Sequence, residues 1–247
     1  MSITGVDAEH PVRAGIPIGD LGGGMFAVMG ILAALRESAL SGIGQHVDIS
    51  MLDVQISLLN YMATMHFMSG ENPFPIGNDH FVHVPYNSFK TADGFMVVAV
   101  ISDKFWHQLK ELIDCPELDI PEYDHQPGRL ADKEKINGRL QEIFLTESTQ
   151  FWLDGMSEKR IPCAPVNTFG QALSDEQVLH RNMVVELKHS NGKSTKGPGT
   201  PIKFSRTSEE SFSAAPVVGE NTDEVLSDLL NYSDEQLQKL KSEGVVI

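Results

Sequence analysis

An aspartate stands just ahead of a glycine cluster in Asp20-Leu-Gly-Gly-Gly24, and a run of apolar residues follows it. A carboxylate at the point where an extended run gives way to a helix faces the positive end of the helix dipole. It also faces backbone N–H groups that lack intrahelical partners, and both favour an anion. Carboxylate nucleophiles form covalent acyl intermediates with activated carbonyls such as thioesters. Gly22 and Gly23 lack the Cβ atoms that would hold a carbonyl away, and their N–H groups are candidates to receive the oxyanion of a tetrahedral intermediate. The same pattern suits Asp20 as a plain N-cap whose glycines permit close helix packing. Spacing alone favours this second reading, because aspartate ahead of a helix is common.

Other chemistry finds less support. Cys115 and Cys163 are the two cysteines, far apart and without metal-ligand spacing, so buried free thiols are expected. The nine histidines, His80 and His83 among them, form no metal-binding pattern, and no metal is expected. No serine sits in a nucleophile elbow. Nineteen basic residues against thirty-four acidic ones give a net charge of −15, which repels nucleic acid and anionic lipid. Arg13 and Arg36 are the only basic side chains before Lys90, and no P-loop or GxGxxG is present to grip a polyphosphate. The N-terminal residues read as neither signal peptide nor anchor, and no run reads as long and apolar enough to cross a bilayer. A cytoplasmic location is the resulting expectation.

The elements that must position Asp20 come next. Residues 25–39 read as a helix that is apolar nearly all round, 45–49 as a short strand, and 52–68 as a second apolar helix. Two such helices call for more covering surface than the rest of the chain offers, so a partner is expected. Pro73, Pro75, Gly77 and Asn78 mark a linker over 69–80. Beyond it, 81–89 and 94–101 read as a hairpin about Asp93-Gly94, with helices over 104–113, 132–145 and 149–158, the last capped by Ser148. A strand over 162–167 and a helix over 169–173 follow. The C-terminal stretch reads as strands at 183–189 and 201–205 and helices at 222–230 and 234–243, with Ser233 and Gln236 forming a capping box.

The segment Ile16-Pro-Ile-Gly-Asp20-Leu-Gly-Gly-Gly-Met25, continued by Ser41-Gly-Ile-Gly-Gln-His-Val-Asp48, resembles the active-site segment of class III CoA-transferases. That family includes formyl-CoA and carnitine CoA-transferases and α-methylacyl-CoA racemase. Further stretches match in order: Val84-Pro-Tyr-Asn-Ser-Phe-Lys-Thr-Ala-Asp-Gly94, Ile161-Pro-Cys-Ala-Pro-Val-Asn167, Gly197-Pro-Gly-Thr-Pro-Ile-Lys203 and Gly219-Glu-Asn-Thr-Asp-Glu-Val225. The resemblance implies an α/β fold: a partial Rossmann-like large domain from 1–68 and 180–247, and a smaller α+β domain over 81–179.

It further implies transfer of CoA between an acyl-CoA and a carboxylic acid through aspartyl anhydride and aspartyl-CoA intermediates on Asp20. Gly77-Asn-Asp-His80 corresponds to a mobile loop over the site, without the four-glycine form of formyl-CoA transferases. The chain corresponds to the C-terminal portion of the family, without the N-terminal section that grips CoA, so weak CoA binding by the chain alone is expected. A homodimer or a separate N-terminal subunit is the implied partner. The racemase branch adds a glutamate where this sequence has Asp103 as a substitute, which leaves a racemase-like enzyme as the alternative, beside a non-catalytic structural remnant.

Overall fold

The computed structural model describes residues 1–207 and 211–246. Two compact units make it up, Met1–Val166 and Asn167–Ile247.

The first unit opens with three helices, α1 (Ile18–Ser41), α2 (Met51–Ser57) and α3 (Tyr61–Ser69). Helix α1 begins seven residues earlier than the sequence pattern suggests, because Pro17 presets the backbone at its entrance and the glycines continue the helix. It ends at Gly42, whose φ of 74° gives the left-handed C-cap that a glycine accepts without strain. Ser50 caps α2 by accepting from the Asp53 N–H. The single helix expected over 52–68 is instead two helices, broken at Asn60, where φ is 50°. Its ψ of −127° lies outside both helical regions, so no helix can run through this residue. The strand expected over 45–49 does not form, since no ladder partner lies beside it among the described residues.

Helices α1 and α2 touch through Gly22, where an added Cβ would come within 2.9 Å of Val54 Cγ1 and 3.3 Å of Leu58 Cδ1. At Gly23 the nearest atom is Met51 Cγ at 3.4 Å, an ordinary contact with a flexible side chain. Gly22→Ala is therefore expected to destabilise the unit by about 1–3 kcal/mol. Gly23→Ala, which relieves the helical cost of glycine, is expected to be neutral or stabilising by up to ~1 kcal/mol. Urea denaturation of the two variants checks this contrast, and equal effects contradict it.

Apart from Gly22 and Val54, the side chains of α1, α2 and α3 are at least partly exposed. Met25, Leu32 and Leu35 are each 61% exposed. Helix α1 is also long and apolar enough to cross a membrane by length and composition, which corrects the sequence expectation that no such run exists. The misreading came from counting the glycines as breakers; they let the helix run on, and its charges, Asp20, Arg36 and Glu37, sit toward its two ends.

The hydrophobic core of this unit lies between Val84 and Ile161. Strands β1 (Tyr86–Lys90) and β2 (Phe95–Ala99) pair antiparallel, with Phe89 opposite Met96, and β3 (Cys163–Pro165) adds to the far side of β2. Met96 and Val98 point into the core, while the intervening Val97 and the preceding Phe95 face the other way, the period-two pattern of a half-covered sheet. The turn closes with a Thr91 N–H to Gly94 carbonyl bond of 2.9 Å. Asp93 accepts from both the N–H and Oγ1 of Thr149, at 2.8 Å each, which fixes the hairpin to the start of the helix Thr149–Glu158.

Four helices cover the inner face: α4 (Asp103–Ile113), α5 (Gln126–Ala131), α6 (Lys133–Phe144) and α7 (Thr149–Glu158). Ile136, Leu140 and Phe144 recur every four residues along α6, and Trp152 and Met156 do so on α7, so each helix buries one stripe. Phe144 meets Phe89 and Trp152 edge-on, with ring centroids 5.1 and 5.2 Å apart.

In the second unit, α8 (Phe169–Ser174), α9 (Glu176–His180) and an antiparallel hairpin of β4 (Val184–Lys188) and β5 (Ser194–Pro198) are followed by α10 (Thr222–Glu224), a π-helical turn (Val225–Leu229) and α11 (Asp234–Ser242). The second strand forms earlier than the expected 201–205, because the chain reverses tightly at Gly192 and His189 bonds to Lys193. The Ser233–Gln236 capping box is present as expected. The chain thus has the mixed helix-and-sheet character of an α/β protein. Both sheets are antiparallel, and no Rossmann-like parallel sheet forms among the described residues.

Candidate active site

Asp20 is the third residue of α1 and lies in its first turn, exposed, with Pro17 at the cap position supplying no side-chain bond. The N–H of Leu21 is spent on the Pro17 carbonyl at 3.0 Å, and that of Ile18 on Ile16 at 2.9 Å. Gly19 and Asp20 are left as the first-turn donors without a partner among the described residues. Because α1 starts at Ile18, Gly22 and Gly23 sit inside its ladder and their N–H groups serve the helix. The free donors thus lie upstream of the glycines on which sequence reasoning placed them.

Asp20 opens into a cavity of about 590 Å³ whose lining includes Thr4, Arg13, Asp20, Met51, Gln55 and Leu58. That volume suits a small organic ligand. Gln55 stands behind Gly19, where an added Cβ would be 3.2 Å from its Nε2. Arg13 shares the cavity with Asp20 and forms no ion pair among the described residues; its side chain makes only a long 3.5 Å contact with the Ala14 carbonyl. Sequence reasoning counted Arg13 without assigning it to the site. Its rarity, as one of two basic residues in the first third, was the available signal.

The 77–80 loop reaches the same N-terminal segment. Gly77 N–H donates to the Gly5 carbonyl at 2.8 Å, and residues 1–4 line the cavity. On its other side the loop is anchored to the core. Asn78 Nδ2 donates to Ser88 Oγ at 2.8 Å, and Asp79 pairs with Lys133 Nζ at 2.8 Å and accepts from Asn137 Nδ2 at 3.2 Å.

His80, next in the chain, stacks on Tyr86 and lies 4.7 Å from the His83 ring. Its Nδ1 accepts from the N–H groups of Val82 and His83, which requires a neutral ring with its proton on Nε2. Burial, and then the neighbouring His83, lower its proton affinity below that of an ordinary histidine. The unfolded chain therefore binds this proton more readily than the folded one. Its contribution to stability is whole above about pH 6.5 and is lost as pH falls toward the depressed folded value. Protection factors for hydrogen exchange at 77–83, taken against the intrinsic rate at each pH, are expected to fall below about pH 6 in the native protein and not in His80→Gln; identical pH profiles contradict this.

Asp103, the alternative acid of the racemase branch, is engaged on both oxygens. Oδ1 accepts from Arg129 Nη2 at 2.8 Å and Oδ2 lies 3.0 Å from His125 Nδ1. The bond to His125, and then the Arg129 guanidinium, hold its carboxyl below the usual carboxylate range. A carboxylate so committed is a structural partner rather than a free base. Burial pushes the Cys163 thiol up, away from the reactive thiolate. Trp106 and Trp152 are core residues, as their helical setting suggests. Among the described residues no three His, Cys, Asp or Glu side chains are grouped to hold a metal ion.

The model of CoA-transferase family III matches residues 1–222. The chain belongs to that family. It is 30% identical over its whole length to human succinyl-CoA:glutarate CoA-transferase, and 31% identical over 92% of its length to succinyl-CoA:mesaconate CoA-transferase of Haloarcula marismortui. It spans 56% and 57% of those two proteins. Among solved structures, a CAIB/BAIF family protein from Brucella suis superposes with a TM-score of 0.79 at 25% identity, covering 93% of this chain and 60% of that one. The α/β fold of the family is thus the fold of this CoA-transferase homologue.

Proposed function

We propose that this chain carries the nucleophile of an enzyme that moves CoA from a succinyl-CoA-like donor to a dicarboxylic acid. The observation that carries the reading is Asp20, set on the first turn of α1 beside two free N–H donors and open to a cavity, in a member of CoA-transferase family III.

An Asp20 oxygen attacks the thioester carbonyl, the C–S bond breaks, and CoA thiolate leaves an aspartyl-acyl anhydride. The thiolate then attacks the Asp20 carbonyl, releasing the donor acid and leaving an aspartyl-CoA thioester. The acceptor carboxylate attacks that thioester, and the thiolate so expelled attacks the acceptor carbonyl of the new anhydride. Acyl-CoA departs and Asp20 is regenerated as a carboxylate. In this reading the free N–H groups of Gly19 and Asp20 stabilise the oxyanions, a contribution of about 10²–10³ in rate per donor in comparable sites. Gly22 permits the α1–α2 contact that holds this turn in place.

In this proposal polypeptide beyond this chain or a second copy completes the CoA site. The exposed apolar faces of α1 to α3 and the scarcity of basic side chains around the cavity support it. Light scattering and calorimetry with CoA test this part: tight stoichiometric binding by a monomer of the chain overturns it. The activity is tested by supplying the complete assembly with succinyl-CoA and isotopically labelled glutarate. Labelled glutaryl-CoA is the expected product; hydrolysis alone overturns the reading.

A further inference from the structure

Arg13 and Asp20 are the two charged side chains among the residues lining the 590 Å³ cavity, and they do not pair with each other. The remaining lining is mostly apolar, from residues such as Ile16, Met51 and Leu58, with the neutral polar Ser2, Thr4 and Gln55. In the resting state the Asp20 carboxylate balances the guanidinium across the cavity. Once Asp20 is acylated, as the function proposed above requires, that negative charge disappears and the exposed guanidinium of Arg13 is the charged side chain left in the lining. A carboxylate on the bound acyl group would give that guanidinium a charge-assisted, bidentate partner.

We infer that Arg13 is a specificity-determining residue that binds the distal carboxylate of the acyl group transferred through Asp20. A dicarboxylic acyl group restores neutrality at the step where Asp20 loses its charge, whereas a monocarboxylic one does not. The planar guanidinium fork also matches a carboxylate in a way that a lysine ammonium does not. The diphosphate of CoA is a poor candidate for this contact, because the pantetheine arm holds it many bonds from the sulfur that must lie beside Asp20.

The test compares succinyl-CoA with butyryl-CoA, in which a methyl group replaces the distal carboxylate, using wild-type, Arg13→Met and Arg13→Lys forms of the complete assembly. The ratio of kcat/KM for succinyl-CoA over butyryl-CoA is expected to fall about 10- to 100-fold in Arg13→Met, the scale of a lost charged hydrogen bond. Arg13→Lys is expected to recover part of that ratio. A loss shared equally by both esters assigns Arg13 to CoA or to structure and overturns the inference, as does an unchanged ratio. Circular dichroism of both variants identifies a folding defect, and Arg13→Lys then carries the comparison. A wild-type assembly that transfers CoA to no acid defeats the functional reading itself, a result distinct from an unchanged ratio in an active enzyme.

Discussion

Asp20→Ala is expected to abolish CoA transfer in the assembled enzyme, with turnover falling by a factor on the order of 10⁴ to 10⁶, the scale of removing a covalent nucleophile. The fold is expected to survive the change. Asp20 is exposed on the first turn of α1 and makes no side-chain cap, so its structural worth is limited to its interaction with the helix dipole, about 0.3–1 kcal/mol. Asp20→Asn keeps the shape and removes the charge, and is expected to share the loss. Rates with succinyl-CoA, read beside circular dichroism and urea midpoints, check the separation of activity from stability. Loss of activity in step with unfolding contradicts it.

The largest expected effect on stability is at Arg129, far along the chain from Asp20. Its side chain is fully buried and makes four charge-assisted bonds: Nε to the Val84 carbonyl at 2.9 Å, and 2.8 Å bonds to the Tyr123 carbonyl, Asp103 and Gln126. Its guanidinium also lies 5.3 Å from the Trp106 ring centroid. Gln126 in turn donates to the Val82 carbonyl, so the group fastens the segment before β1 to α4 and α5.

Arg129→Ala leaves two carbonyls without donors and opens a void beside Trp106. The expected loss is about 3–5 kcal/mol. Asp103→Asn removes a partner that is 40% exposed and should cost much less, since solvent screens that side of the pair. Chemical denaturation ranks the two variants. The acid limb follows from the same group: the stability tied to Asp103 is present above the ordinary aspartate pKa and is lost as pH falls through its lowered folded value.

The elements legible in the sequence were those whose pattern is local. The helices at 103–113, 133–144 and 149–158 each bury one stripe, the Asp93-Gly94 turn forms the hairpin, and Ser148 and Ser233 cap as their spacing implies. Where the pattern was uniform, the boundaries were hidden. Nothing in the apolar run 52–68 marks Asn60 as a break, and the glycines of α1 read as a loop although a helix passes through them. Strand β5, Ser-Thr-Lys-Gly-Pro, has the composition of a loop, because it is held to β4 by backbone bonds and buries none of its own side chains fully.

The site was legible only in part. Asp20 was found from its place beside the glycine cluster. Its free donors were displaced by the shift in the helix start, and Arg13 is separated from it by residues whose path no periodicity describes. The hub at Arg129 depends on carbonyls of Val84 and Tyr123 brought together by tertiary folding, which sequence spacing does not reveal.

The measurement that bears most directly on the account is mass spectrometry of the complete assembly, acid-quenched during turnover of succinyl-CoA and digested with pepsin. A CoA thioester is expected on the peptide that contains Asp20, and that adduct should be missing from Asp20→Ala. An adduct on another peptide, or continued transfer by Asp20→Ala, contradicts the assignment of Asp20 as the nucleophile.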